Sequence, residues 1–105
     1  MPISSPIDWA DLSGLDKVVA IYGVGENTVI VETNDSREIR ITAWKDLKTG
    51  EYLPDFERRG TVHAGGGKEF HVWSHTTVYG RPEPAPSLQA CLEAAVHQVD
   101  RMHVY

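Results

Sequence analysis

Three of the five histidines in this chain, His63, His71 and His75, lie within residues 52–79 beside Glu57, Arg59, Glu69 and Trp73. Imidazoles with carboxylates can hold a metal or move protons, and arginine with tryptophan is a common recognition pair, so this segment is where chemistry is sought first. It reads as two strand-forming arms, EYLPDFERRGTV and KEFHVWSHTTVY, joined by Gly65, Gly66 and Gly67. Folding the arms back around Gly66 sets Val62 opposite Phe70, Gly60 opposite Val72, Phe56 opposite Thr76 and Pro54 opposite Val78. These form one face, expected to pack beneath a helix. The other face then pairs His63 with Glu69, Thr61 with His71, Arg59 with Trp73, Glu57 with His75 and Asp55 with Thr77. A slip of one residue would exchange the two faces.

Strand geometry sorts the metal candidates. His71 and His75 stand four residues apart on one strand, roughly 13 Å between Cα atoms at about 3.3 Å per residue, too far to share an ion comfortably. His63, Glu69 and His71 are the better set, two of them cross-strand neighbours and the third a diagonal one, but they carry no ligand-spacing motif. Glu57 opposite His75 would make a carboxylate–imidazole pair suited to acid–base work, and such pairs also decorate ordinary surfaces. No nucleophile joins it: Ser74 falls on the opposite face, and Cys91 falls on the apolar stripe of a helix.

Phosphate motifs fail. Gly23-Val24-Gly25-Glu26-Asn27-Thr28 lacks the third glycine of a dinucleotide fingerprint and leads into a strand where a helix is needed. Gly67-Lys68 has Val62 where a P-loop needs its first glycine and Glu69 where it needs Ser or Thr. No cofactor is expected. Binding is the use that the residue types favour: Arg59, His71, Trp73 and His75 form the expected contact surface, with Arg59 stacked on Trp73 and with Trp44 and Tyr79 widening the aromatic area. The competing expectation is that Trp9 and Leu12 of the N-terminal segment cover Trp73.

Composition narrows the class. One hundred and five residues suit one small domain able to bury a core without staples, and a lone cysteine gives no intrachain disulfide. A net charge of −5 opposes phosphate-driven nucleic-acid binding, Arg58-Arg59 being the one adjacent basic pair. MPISSPIDWADL has neither a basic n-region nor a long apolar run, so no membrane association is expected and the cytoplasm is the default location. Asn34-Asp35-Ser36 fits the glycosylation pattern but reads as a turn.

The elements that must position the site follow from periodicity. Ser5, Pro6 and Asp8 open a short helix carrying Trp9 and Leu12 and ending at Gly14. Residues 17–24, 28–33 and 37–44 are β-branched strands joined by Gly25-Glu26-Asn27 and Asn34-Asp35-Ser36, a register that places Val31 opposite Ile39 and Val29 opposite Ile41. Lys48-Thr49-Gly50 turns the chain into the long hairpin. Residues 81–86 alternate proline with other residues and cannot continue a ladder. Ser87 then caps a helix over 87–103, with Leu88, Cys91, Leu92, Ala95, Val99 and Met102 on one stripe and Gln89, Glu93, His97 and Asp100 off it.

The expected fold is α+β in two layers, one domain over 1–105: an N-terminal segment (1–15), an antiparallel meander of about five strands (16–80), a proline-rich crossover (81–86) and a helix packed on one face (87–103). The expected function is a small soluble binding or protein-interaction domain that meets a protein partner or a second copy of itself. A metal-binding protein or small enzyme built on the His and Glu residues of the hairpin is the alternative.

Overall fold

Alternation of apolar and polar residues settles the architecture of the sheet, because a strand with one buried face must place every second side chain inside. A computed structural model of the chain describes residues 14–80 and 82–101. Five strands, β1 (Val18–Gly23), β2 (Thr28–Thr33), β3 (Glu38–Lys45), β4 (Tyr52–Ala64) and β5 (Lys68–His75), form one antiparallel sheet in the order β1-β2-β3-β4-β5, followed by α1 (Leu88–Arg101). This is the expected α+β meander with a C-terminal helix. The expected N-terminal helix falls on residues 1–13, outside the described residues.

Register follows the pattern. Val31 pairs with Ile39 and Val29 with Ile41, and on the next strand Phe56 sits opposite Ile41. Their side chains share one face and enter a core completed by Cys91, Leu92, Ala95, Val96 and Val99 of α1. Ser87 caps the helix as its type dictates, its hydroxyl accepting the Ala90 N–H at 3.1 Å. The proline-rich crossover is refined in one respect. Ala85, between two prolines, retains its N–H and exchanges two backbone hydrogen bonds with Tyr52, at 2.8 and 2.9 Å, so one rung of pairing survives there.

Asp100 departs from its expected place on the polar side of the helix. It is 5% exposed, and its carboxylate accepts the backbone N–H groups of Asp16, Lys17 and Val18 at 3.1, 2.6 and 2.9 Å. The buried charge is tolerated because it satisfies three main-chain donors at once. Helical periodicity could not foresee a bond spanning more than 80 residues.

The other departure concerns the hairpin. Gly60, Val62, Phe70 and Val72 were expected beneath the helix, and α1 instead rests on β1 to β4. Phe56 and Val78 do join the core. Val62, Phe70 and Val72 are 49%, 53% and 37% exposed. The reason is length: β3 stops pairing with β4 at Ile39 and Arg58, whereas β4 continues to Ala64 paired with β5 alone. Beyond Arg58 and Ser74 the sheet is therefore a two-stranded ribbon. Its tip, Gly65–Gly67, needs left-handed backbone at Gly66 (φ 79°) and Gly67 (φ 76°), a conformation that glycine adopts without strain.

The Asp100 clamp has a consequence for stability. Burial pushes its carboxyl up, but the N–H groups of Val18, Asp16 and Lys17, with His97 nearby, outweigh burial and hold it below the ordinary aspartate value of 3.8. A depressed folded-state value means the contribution is complete above 3.8 and is lost as the pH falls through the folded-state value. Asp100→Asn is expected to cost about 1–3 kcal/mol at neutral pH, since it leaves main-chain donors unsatisfied. In urea melts the gap between the two proteins should close as the pH is lowered through the acid range.

Candidate functional site

The face of the sheet opposite α1 carries the candidate residues, because the strand alternation that sends Ile39, Ile41 and Phe56 inward sends Glu38, Arg40, Glu57 and Arg59 outward. The hairpin register expected from the sequence holds: Glu57 faces His75, Arg59 faces Trp73, Thr61 faces His71 and His63 faces Glu69. On this face β3, β4 and β5 build two rows, Glu38–Arg59–Trp73 and Arg40–Glu57–His75.

Charge pairing knits the rows together in a way the hairpin alone did not reveal. Arg40 binds the Glu57 carboxylate through Nε at 3.0 Å and through a terminal nitrogen at 2.9 Å, and its guanidinium lies 4.7 Å from the centre of the Trp73 ring. The cation over Trp73 is therefore Arg40, not Arg59. Arg59 reaches the other way, to Glu38 at 2.7 Å. An exposed ion pair such as Arg59–Glu38 contributes about 0–1 kcal/mol, so it orders the side chains more than it stabilises the fold, and the Arg40–Glu57 pair is half-buried. Arg40 escaped the sequence reading because its row depends on the β3–β4 register. The signal was present in the alternation of Glu38 and Arg40 on one face.

The catalytic and metal candidates come together only in part. Glu57 is engaged by Arg40, and His75 turns its Nδ1 to Asp55 at 3.3 Å, so the two stand opposite each other in register with their side chains bonded elsewhere. His63 and Glu69 do meet, at 3.4 Å, while His71 turns to the Thr61 hydroxyl at 3.4 Å. Among the described residues no three His, Cys, Asp or Glu side chains are grouped to hold a metal ion. Cys91 is buried in the core, and burial pushes its thiol up to about 11, far from a thiolate at neutral pH.

A shallow depression of about 700 Å³ lies where the ribbon leaves the β2–β3 turn, lined by Glu32, Asn34, Glu38, Arg59, Thr61 and His71. Arg59 and His71, both expected contact residues, thus share one concavity. Trp44 and Tyr79 are exposed, and Trp73 is half-buried under Arg40. Trp9 and Leu12, expected to cover Trp73, lie outside the described residues. No helix among the described residues is long and apolar enough to cross a membrane. No protein-family model, curated protein or solved structure matches this chain.

If Arg40 and Trp73 are coupled as the geometry shows, a double-mutant cycle of Arg40→Ala and Trp73→Ala should return an interaction of about 0.5–1 kcal/mol. The same cycle on Arg59 and Trp73, cross-strand neighbours without the stacking, should return a smaller value. Urea denaturation followed by circular dichroism makes both measurements.

Proposed function

We propose that this chain is a small binding domain that recognises a protein through the Arg-, Trp- and His-bearing face of its sheet, with Arg59, His71, Trp73 and His75 as contact residues. The supporting observation is the ribbon beyond Arg58 and Ser74. Residues 61–71 are all exposed, with Val62 and Phe70 on one face and Thr61, His63, Glu69 and His71 on the other, and Arg59 and the half-buried Trp73 stand at the base of that second face. Arginine and tryptophan are the types that contribute most to binding when a partner excludes water from them. The ion pairs to Glu38 and Glu57 hold the two guanidinium groups in place beforehand, which lowers the ordering cost of association.

The test compares the immobilised wild-type protein with an Arg59→Glu, His71→Ala variant in capture from a lysate of the organism that encodes the chain. Both substitutions lie on exposed positions, so the melting temperature should move by no more than about 2–4 °C. The expected outcome is a protein retained by the wild type and reduced at least about tenfold with the variant, a difference of about 1.4 kcal/mol in affinity. The same retained proteins in the same amounts for both would refute the use of this face.

A further inference from the structure

We infer that the outer edge of β5 pairs with β5 of a second copy of this chain, in antiparallel register about Val72, to give a closed two-fold dimer with a continuous ten-stranded sheet. The inference rests on the reading of the ribbon as an association surface and names its partner.

The first observation is the state of the edges. β5 is the last strand of the sheet, eight residues long, without proline or bulge and with no helix over it among the described residues, and such an edge offers a row of unpaired backbone groups. The opposite edge differs. β1 carries a register shift between Val18 and Ala20. A bulged edge resists further pairing. Among the described residues β5 is therefore the more regular edge, and a contact that uses one edge twice closes on itself.

The second observation fixes which backbone groups of β5 point outward. Thr76 donates its N–H to the Phe56 carbonyl at 3.1 Å, so by the alternation of an antiparallel ladder Ser74, Val72 and Phe70 also point their backbone groups inward to β4. Glu69, His71, Trp73 and His75 then point theirs outward. A dyad at Val72 sets Glu69 of one copy against His75 of the other and His71 against Trp73, so every outward N–H and C=O from Glu69 to His75 finds a partner. Moving the dyad by one residue to His71 leaves the His75 groups facing the glycine tip.

Side chains agree with that register on both faces. On the open face, the Glu69 carboxylate meets the His75 imidazole of the other copy and His71 meets Trp73, an acid against a ring N–H donor and an imidazole against an indole. On the helix side, Val72 meets Val72, with Phe70 of each copy diagonal to it and Val62 behind. The exposed strip of Val62, Phe70 and Val72 thereby becomes a shared apolar layer. A two-stranded ribbon is marginal in water by itself, and pairing makes it four-stranded.

Substitutions can separate the dimer from the fold. His71→Pro removes an outward N–H and no bond of the internal ladder, which proline tolerates on an edge strand. Val72→Lys places like charges at the dyad and leaves the exposed site compatible with the monomer. Sedimentation velocity of the pure protein from about 1 µM to 1 mM, a span of about 4 kcal/mol in association free energy, should show a monomer–dimer equilibrium for the wild type. Both variants should weaken it at least tenfold while keeping the wild-type circular dichroism spectrum. A wild type that stays monomeric throughout, or a dimer that survives both substitutions, would overturn the inference. Loss of the dimer in the Arg59→Glu, His71→Ala variant of the capture experiment but not in Val72→Lys would also overturn it, locating self-association on the open face and leaving the proposed function intact.

Discussion

Two ties hold the ends of the helix to the sheet, on a diagonal that decides which part of the sheet stays bare, and a third holds it to the segment after β5. At its start, the segment leading into α1 is bonded through Ala85 to Tyr52, at the beginning of β4. Near its end, the Gln98 amide donates to the carbonyls of Val78, Tyr79 and Gly80. Two residues later Asp100 gathers the N–H groups of residues 16–18 at the beginning of β1. In a meander β1 and β4 run in opposite directions, so those two beginnings are at opposite ends of the sheet. A helix of 14 residues, about 21 Å long, spans that diagonal and no more. The corner it cannot reach is where β4 and β5 run on together, and β4 at 13 residues extends roughly 43 Å.

The bare ribbon carries the binding reading. A protein that had only to bury its core could end β4 where β3 ends. Here the chain extends both arms past the last rung with β3 and places valine and phenylalanine on one side of them and histidine, arginine and threonine on the other. Exposed apolar residues in contiguous array are a feature of surfaces that meet other molecules. The ion pairs of Arg40 with Glu57 and Arg59 with Glu38 add order on the open face.

Much of this was legible in the residues. Alternation and turn chemistry yielded the strand order, the register around Gly66, the pairing of Val31 with Ile39 and the Ser87 cap, because each is set by local spacing. What escaped was long-range. The Asp100 clamp joins positions more than 80 residues apart, and an aspartate at a polar helical position gives no local sign of burial. The exposure of Phe70 and Val72 depends on how far the helix reaches, which the hairpin pattern does not encode. Arg40 replaces Arg59 over Trp73 because a third strand stands beside the hairpin, and the register of that strand does not follow from the two arms alone. The histidines show the same limit in part: His71 meets Thr61 and His63 meets Glu69 as the cross-strand pairing implied, yet His75 turns to Asp55 and not to Glu57 opposite it.

Pairing through the outer edge of β5 is the central claim, and amide hydrogen exchange by nuclear magnetic resonance reads that edge residue by residue. In dilute protein the amides of Phe70, Val72 and Ser74, bonded to β4, should exchange slowly, and those of Glu69, His71, Trp73 and His75 should exchange quickly. Raising the concentration should slow the second group selectively, bringing it toward the first. Outward amides that exchange quickly at every concentration, or that slow no more than the rest of the chain, would contradict pairing through this strand.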